Sequence, residues 1–504
     1  MVQGKKAMYP HVNPAFKFHR DASGGRLSIS LQNAREAEEL NGYAADSRGG
    51  FMSMAYFAID GFYVDVVSIA DGTITLEEIV ERYVKGSDPV FGPVLADRAV
   101  NWALSMRGLL RWTEQQLSPA RPPRVTGRRD AYYPQHAVIE ITDRCNFSCE
   151  HCYIAARQNV GSFMSIDTFA TVVELLSANG VQVVELSGGE CTIHPKFAEM
   201  LNLACSKFSL VSALTNGYLL GVPGKVRDAI MGRDNVAVQV SIDGIERTHD
   251  LFRKHRHSFQ RAVEAVRVCT EAGKPTRIAT SISEGTLREV PELVSLGRKL
   301  APALHAFSPV APFGRGCNVT DSALASAGTS RRLEEALKKA GYSGPGITQA
   351  GAPTAAGGVE QIRNCGAGHR TVAVDVKAGV RPCNFGDALG RLGNLLTDEY
   401  HEIFSGLKSF QLANAPRPGG VECVECEYFN FCQGCPSKAM SLVPRTDVQC
   451  RWYERWFETE TLPQVNGADL LGVCDSCRET QVSSRSSRVF GGTMAQERRN
   501  ADGY

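Results

Sequence analysis

An α/β chain organised around an open, TIM-like (β/α)6 barrel is the fold class this sequence predicts, and three observations predict it. From Ala137 onwards, apolar strand-like runs alternate with helix-periodic stretches through six units, the signature of a parallel sheet with crossover helices. A loop crowded with cysteines follows the first run, at the end of a strand where such barrels build their active sites. The 504 residues, 43% hydrophobic and 22% charged, suffice for several folded domains of roughly 100–200 residues each.

Taken in chain order, residues 1–49 are polar, weakly periodic and unassigned. Residues 50–118 read as a small mixed domain. There Met54–Ile59 and Phe62–Val67 read as strands, Asp71-Gly72 marks a turn, and Thr75-x-x-Glu78 is a capping box opening the helix LEEIVERYV. A second apolar-periodic stretch runs from Leu95 to Leu110. Residues 119–136, rich in Pro, Arg and Gly, read as a linker. The barrel spans 137–317, with strands expected in VIEIT (138–142), VQVVELSGG (181–189), SLVSALTNG (209–217), NVAVQVSIDG (235–244), RIATSIS (277–283) and ALHAFSPVAP (303–312). Helices are expected at Ser165–Ala178 and near Lys196–Ser206. A bridge rich in small residues (318–362), interrupted by RRLEEALKKAG, leads to a cysteine-rich region at 363–452 and a tail at 453–504 whose polar end is expected to be disordered.

Charge excludes some partners. Lys and Arg number 55 against 54 Asp and Glu, a net of +1, so no broad basic field invites nucleic acid or an anionic membrane. No run of eighteen apolar residues occurs, and the start MVQGKKAMYPHVNP lacks the apolar core of a secretory signal. The expectation is a cytoplasmic protein without nucleic-acid or membrane partners.

The 16 cysteines are the anomaly, because thiols in a reducing compartment rarely serve as disulfides. Cys145-x3-Cys149-x2-Cys152 forms one group, and Cys365, Cys383, Cys423, Cys426, Cys432, Cys435 and Cys450 form a second. Cys474 and Cys477 make a pair, while Cys191, Cys205, Cys269 and Cys317 stand alone. Repeated C-x2-C spacing lets two thiolates reach one metal centre, which favours metal over disulfides. For Cys423, Cys426, Cys432 and Cys435 alone, zinc and iron–sulfur readings both stand. The first group supplies three ligands and no nearby fourth, which suits a four-iron, four-sulfur (4Fe–4S) cluster with one iron open to a small molecule.

These residues resemble a known family. CNFSCEHCY, SGGECTIHP, TNGY and SIDG followed by THDLFR resemble the radical S-adenosylmethionine (SAM) enzymes, and the cysteine-rich region resembles the SPASM extension of peptide maturases. The resemblance implies that Cys145, Cys149 and Cys152 hold the SAM-binding 4Fe–4S cluster. It implies that Gly188 and Gly189 admit the methionine part of SAM, Glu190 accepts from its ammonium, and Arg253 faces its carboxylate. Ser241 and Asp243 would serve the ribose, and Tyr153 the adenine. One or two auxiliary 4Fe–4S clusters are implied: Cys423, Cys426, Cys432 and Cys450 for one, Cys365, Cys383 and Cys435 for another. That is seven thiolates where two clusters need eight, so one iron is open or ligated by the substrate, or an outlying residue such as Cys317 supplies the missing bond. FYVDVVSIADGTITLEEIVERYV and SMRGLLRWTE resemble the winged-helix-like PqqD-type domain that binds leader peptides through an exposed strand edge.

The implied activity is maturation of a ribosomally made precursor peptide carrying a leader. A 5′-deoxyadenosyl radical abstracts hydrogen, and an electron donor such as flavodoxin or ferredoxin supplies reducing power. Thioether cross-linking is the first expectation, and carbon–carbon or carbon–oxygen cross-linking the second. Epimerisation, with Cys317 or Cys191 as hydrogen donor, and a non-catalytic electron carrier or peptide-binding scaffold are the further alternatives. No catalytic side chain is singled out.

Overall fold

The computed structural model describes residues 8–29, 56–106, 108–156, 158, 160–320, 323–344, 365–385, 390–419, 421–432, 434–442 and 449–458. The Cys474–Cys477 pair lies outside them, as do residues 345–364 of the bridge.

The N-terminal unit starts well before residue 50. Strands β1 (Tyr9–Val12), β2 (Phe16–Asp21), β3 (Gly24–Ile29) and β4 (Tyr56–Ile59) are followed by helices α1 (Gly61–Val67), α2 (Leu76–Lys85) and α3 (Gly92–Ser105), then strands β5 (Leu110–Thr113) and β6 (Arg124–Gly127). One sheet has the order β4-β3-β2-β6, and β1 pairs separately with β5. Phe16, Phe18 and Leu27 share one buried apolar cluster with Val64, Val67, Ile79 and Leu109. Part of the unassigned N-terminal segment therefore belongs to this unit. So does part of the expected linker, since β6 runs parallel to β2.

The strand expected at Phe62–Val67 is helix α1. Short apolar runs do not reveal their period. Coiled as a helix, the segment buries Val64, Val66 and Val67 and leaves Asp65 outside, where it pairs with Arg20 at 3.3 Å and with Arg129. The stretch expected to run from Leu95 to Leu110 divides between α3 and β5. The capping box is present: Thr75 Oγ1 accepts from the Glu78 N–H at 3.4 Å, and Glu78 Oε2 accepts from the Thr75 N–H at 2.7 Å.

The barrel strands are β7 (His136–Thr142), β8 (Val183–Gly188), β9 (Leu210–Thr215), β10 (Val236–Ser241), β11 (Thr276–Ile282) and β12 (Leu304–Pro309). Between them run α4 (Ile166–Ala178), α5 (Phe197–Lys207), α6 (Lys225–Met231), α7 (Arg247–Phe252), α8 (Ser258–Glu271) and α9 (Val290–Leu300), and α10 (Ala323–Lys339) follows β12. All six strands are parallel to their neighbours. Ile139, Ile141, Val184, Leu186, Val211, Val238, Val240 and Ile278 are fully buried in one cluster with Phe169, Val172, Leu176 and Leu201 of the helices. Each such side chain contributes roughly 1.5–3 kcal/mol on burial. Alternate strand residues such as Glu140, Glu185, Gln239 and Ser241 therefore line the inner face.

The sheet does not stop at the barrel. β13 (Thr371–Val374) joins the far edge of β7 in parallel, and β14 (Gly379–Arg381) and β15 (Gly393–Asn394) add antiparallel strands to make nine. The cysteine-rich region is thus built onto the open edge of the barrel sheet. It continues through five short helices, α11 (Tyr400–Ser405), α12 (Leu407–Asn414), α13 (Phe429–Cys432), α14 (Pro436–Leu442) and α15 (Arg451–Phe457).

Candidate active site

The loop after β7 carries Cys145, Cys149 and Cys152, all free thiols, the first two buried. They share a small apolar cluster with Phe147 and Ala156, backed by Ile154 and Tyr218, and that cluster contains no fourth thiol. The Phe147 N–H donates to Cys145 Sγ at 3.3 Å, while the Phe147 ring stacks on His255 with centroids 4.3 Å apart. Burial pushes the Cys145 thiol up to about 12, the Glu190 charge adding to it. Burial lifts Cys149 to about 11 against the opposing pull of Arg253. Thiols held this way stay protonated until a metal displaces the proton.

Loops after the next strands close around this one. Added to Gly188, whose φ is +123°, a Cβ would stand 1.9 Å from the Thr142 carbonyl oxygen; added to Gly189, it would stand 2.0 Å from that of Arg144. The Gly189 and Glu190 N–H groups donate to those same two carbonyls at 2.8 and 2.9 Å. Contact with the cysteine loop is reason enough for both glycines. Glu190 is fully buried and braces β8 against β9: Oε1 accepts from Thr192 N (3.2 Å), Thr192 Oγ1 (2.5 Å) and Thr215 Oγ1 (2.6 Å), and Oε2 from Asn216 N (2.7 Å). Burial raises its pKa despite those donors. Asn216 Nδ2 in turn donates to Asn146 Oδ1 at 2.9 Å.

Asp243, expected to serve a ribose, is held by three protein partners. Its Oδ2 accepts from Arg253 Nε (2.8 Å) and lies 2.7 Å from Arg253 Nη2 and 3.1 Å from His151 Nε2, and Oδ1 accepts from the Ser281 N–H at 2.8 Å. Burial opposes ionisation of this carboxyl, but Arg253 and His151 together hold it well below the usual carboxylate range. Arg253 is 7% exposed, acts electrostatically on Cys149 and Cys145, and keeps Nη1 outside these bonds. Ser241 ends β10, half-buried, opposite Ala279. Sequence reading passed over His151, although its position between Cys149 and Cys152 in CEHC was visible.

Tyr153, expected near the adenine, directly follows the cysteine loop. Its ring lies against Phe385, centroids 5.7 Å apart, so that side of it is already occupied by a residue beside Cys383. Burial raises its phenol pKa, with the Glu140 charge adding to the effect.

In the cysteine-rich region, Cys423, Cys426, Cys432 and Cys450 line one cavity with Phe429, Leu442 and Trp452. Burial and the neighbouring thiols of Cys450, Cys426 and Cys423 push Cys432 up. Burial also raises Cys383, to about 12, with Cys435 and Cys365 acting on it in turn. Cys317 is exposed, its Sγ donating to the Pro312 carbonyl at 3.1 Å. Cys191, Cys205 and Cys269 are buried, as small apolar side chains commonly are. Among the described residues, no three His, Cys, Asp or Glu side chains stand close enough to hold a single metal ion.

A barrel sheet with three free thiols at the end of its first strand, beside a buried Gly-Gly-Glu brace, defines the class, and comparison agrees: residues 139–296 match the Radical SAM superfamily. The chain carries a radical SAM domain, and with it the expectation of a 4Fe–4S cluster and SAM. Its relatives narrow the likeness. The antilisterial bacteriocin subtilosin biosynthesis protein AlbA of Bacillus subtilis (strain 168) is 26% identical over 444 residues, 86% of this chain and 93% of that protein. The sporulation killing factor maturation protein SkfB of the same organism is 32% identical over 183 residues, 36% of this chain and 44% of that protein. Among solved structures, Streptococcus suis SuiB bound to the precursor peptide SuiA superposes with a TM-score of 0.59 at 13% identity, over 86% of this chain and 97% of that one, a likeness of fold. No helix among the described residues is long and apolar enough to cross a membrane.

Proposed function

We propose that this chain is a radical SAM maturase that closes a thioether cross-link in a ribosomally made precursor peptide. The observation that carries the reading is the convergence of Cys145, Cys149 and Cys152 at the end of β7, with Arg253 beside them and no fourth thiol in their cluster. Relatives whose names speak of bacteriocin biosynthesis and killing-factor maturation support a peptide substrate.

In this reading the three thiols hold a 4Fe–4S cluster with one iron open. When bound, the cluster and SAM together supply a 5′-deoxyadenosyl radical that removes hydrogen. The chain's own residues position and exclude water. Arg253, held by Asp243, would meet the carboxylate of SAM; Glu190 Oε2, which accepts a single protein hydrogen bond, would take one from its ammonium; Gly188 and Gly189 would leave that wall free of side chains. Ser241, at the end of β10, is offered as the ribose contact.

Cys423, Cys426, Cys432 and Cys450 hold one auxiliary cluster, and Cys365, Cys383 and Cys435 a second, in a SPASM-type region. The second set is one ligand short. With Cys317 turned to Pro312, a substrate thiolate fits that place, which favours a thioether product. The N-terminal unit, PqqD-like in this reading, holds the leader along an exposed edge of its sheet. Tyr63 lies between Phe62 and Trp102, ring centroids 4.1 and 4.7 Å away, in the same unit. An external one-electron donor would reduce the first cluster at the outset, and the electron released when the thioether closes would pass to the auxiliary clusters.

Anaerobically reconstituted protein, given SAM and dithionite, should release 5′-deoxyadenosine. Co-expression with a short peptide encoded beside the gene should yield a product two hydrogens lighter that resists thiol alkylation. Absence of 5′-deoxyadenosine defeats the enzyme reading. A product lighter by two hydrogens with every cysteine still alkylatable defeats the thioether.

A further inference from the structure

The loop that leaves the last barrel strand grips the cysteine loop of the first. β7 and β12 occupy opposite ends of the six barrel strands, yet the Arg315 N–H donates to the Cys152 carbonyl at 2.9 Å. That bond is made by the backbone, and the Arg315 side chain reaches two further carbonyls: Nε donates to Cys149 O at 2.7 Å and Nη1 to Ala156 O at 2.8 Å. Gly314 makes the approach possible. Its φ is +55°, and a Cβ there would stand 2.3 Å from Tyr153 O and 2.5 Å from Cys152 O.

Carbonyls of an irregular loop have no ladder partners, so the donors that meet them decide its shape. An arginine fork can hold two acceptors set seven residues apart at once, whereas a lysine ammonium is a single point.

We propose that Arg315 is a positioning residue that closes the mouth of the open barrel and holds the three-cysteine loop in its cluster-binding shape, with its charge beside the cluster. The inference rests on the reading of Cys145, Cys149 and Cys152 as cluster ligands. Nothing in the local sequence announces it, since 166 residues separate Arg315 from Cys149.

The test uses the full-length chain with R315Q and R315K. In the metal-free protein, R315Q should raise the rate at which Cys149 and Cys152 are alkylated by at least threefold, followed by mass spectrometry. After reconstitution, the SAM-responsive electron paramagnetic resonance signal of R315Q should lose most of its intensity or move to a lower midpoint potential. R315K should recover the potential while leaving the alkylation fast, because charge returns and the fork does not. The inference is overturned if R315Q, folded by circular dichroism, matches the wild type in alkylation, iron content and potential. If R315Q does not fold, R315K decides alone, and wild-type alkylation rates in it overturn the inference. If wild-type protein binds no iron at these thiols, the ligand reading fails and the clamp fails with it as a cluster device, even where alkylation shows that it orders the loop.

Discussion

Arg381 Nη2 stands 2.5 Å from Glu140 Oε2, and both side chains are almost wholly buried, at 8% and 10% exposure. Glu140 belongs to β7 and Arg381 to β14, so this ion pair ties the inner face of the barrel to the cysteine-rich region. It lies where the two thiol systems approach each other, with Tyr153 and Phe385 in contact nearby. Removing either charge takes a buried countercharge from the other. Arg381→Met and Glu140→Gln should therefore each destabilise the fold by about 3–5 kcal/mol, read from denaturant midpoints. The double variant E140Q/R381M should be less destabilised than the sum of the two. Strict additivity would show that the charges do not act on each other.

The thiol sets should separate experimentally. Cys145→Ala combined with Cys149→Ala and Cys152→Ala should abolish 5′-deoxyadenosine formation while iron remains bound at the cysteine-rich region. Cys423→Ala with Cys426→Ala should lower iron content but leave SAM cleavage detectable. Iron and acid-labile sulfide assays beside product chromatography check both. Removing iron with a chelator under reducing conditions should abolish activity, and anaerobic reconstitution should restore it.

Gly188→Ala places a methyl group 1.9 Å from the Thr142 carbonyl at a φ of +123°. No rotamer can relieve this contact, since both partners are backbone. A loss on the order of 3 kcal/mol is expected from backbone strain and overpacking together, with a matching loss of iron at the first site. A variant as stable as wild type would show that the two loops can part at no cost.

Two buried histidines set an acid limit on stability. Burial lowers His136 to about 4 and His305 to about 4, whereas in the unfolded chain each titrates near about 6.5. Between these values the unfolded state binds more protons, so stability rises with pH. The contribution is complete above about pH 6.5 and declines as pH falls towards 4, each histidine adding up to about 1.4 kcal/mol per pH unit. Urea unfolding at pH 7.5, 6 and 5 checks the slope, and His305→Gln should flatten it. His305 Nε2 lies 2.9 Å from Thr280 Oγ1, so a glutamine amide keeps a partner within reach.

Much of the barrel was legible. Strands at 138–142, 181–189, 209–217, 235–244, 277–283 and 303–312 all contain the observed β7 to β12 or most of their lengths, because period and boundary signals are local. The Phe62–Val67 segment was misread for the complementary reason: six residues are too few to tell a strand from a buried helix turn, and packing against β3 and α3 decided it. Arg124–Gly127 looked like linker because Pro and Arg surround it, yet pairing with β2 costs those residues nothing that their composition would reveal.

What the sequence by itself determined is whatever is written in spacing: alternation of strand and helix, the strand ends, and which cysteines travel together. Ligand sets separated by two or three residues are local facts of chain geometry. What only the tertiary structure decided is who meets whom across the mouth of the barrel. Asp243 is turned onto Arg253 and His151, Tyr153 rests on Phe385, β13 adds the cysteine-rich region to the edge of β7, and Arg315 grips a loop far behind it in the chain. Those contacts arise from closing a sheet and placing its loops side by side. Such long-range juxtaposition leaves no periodic trace in the residues that take part.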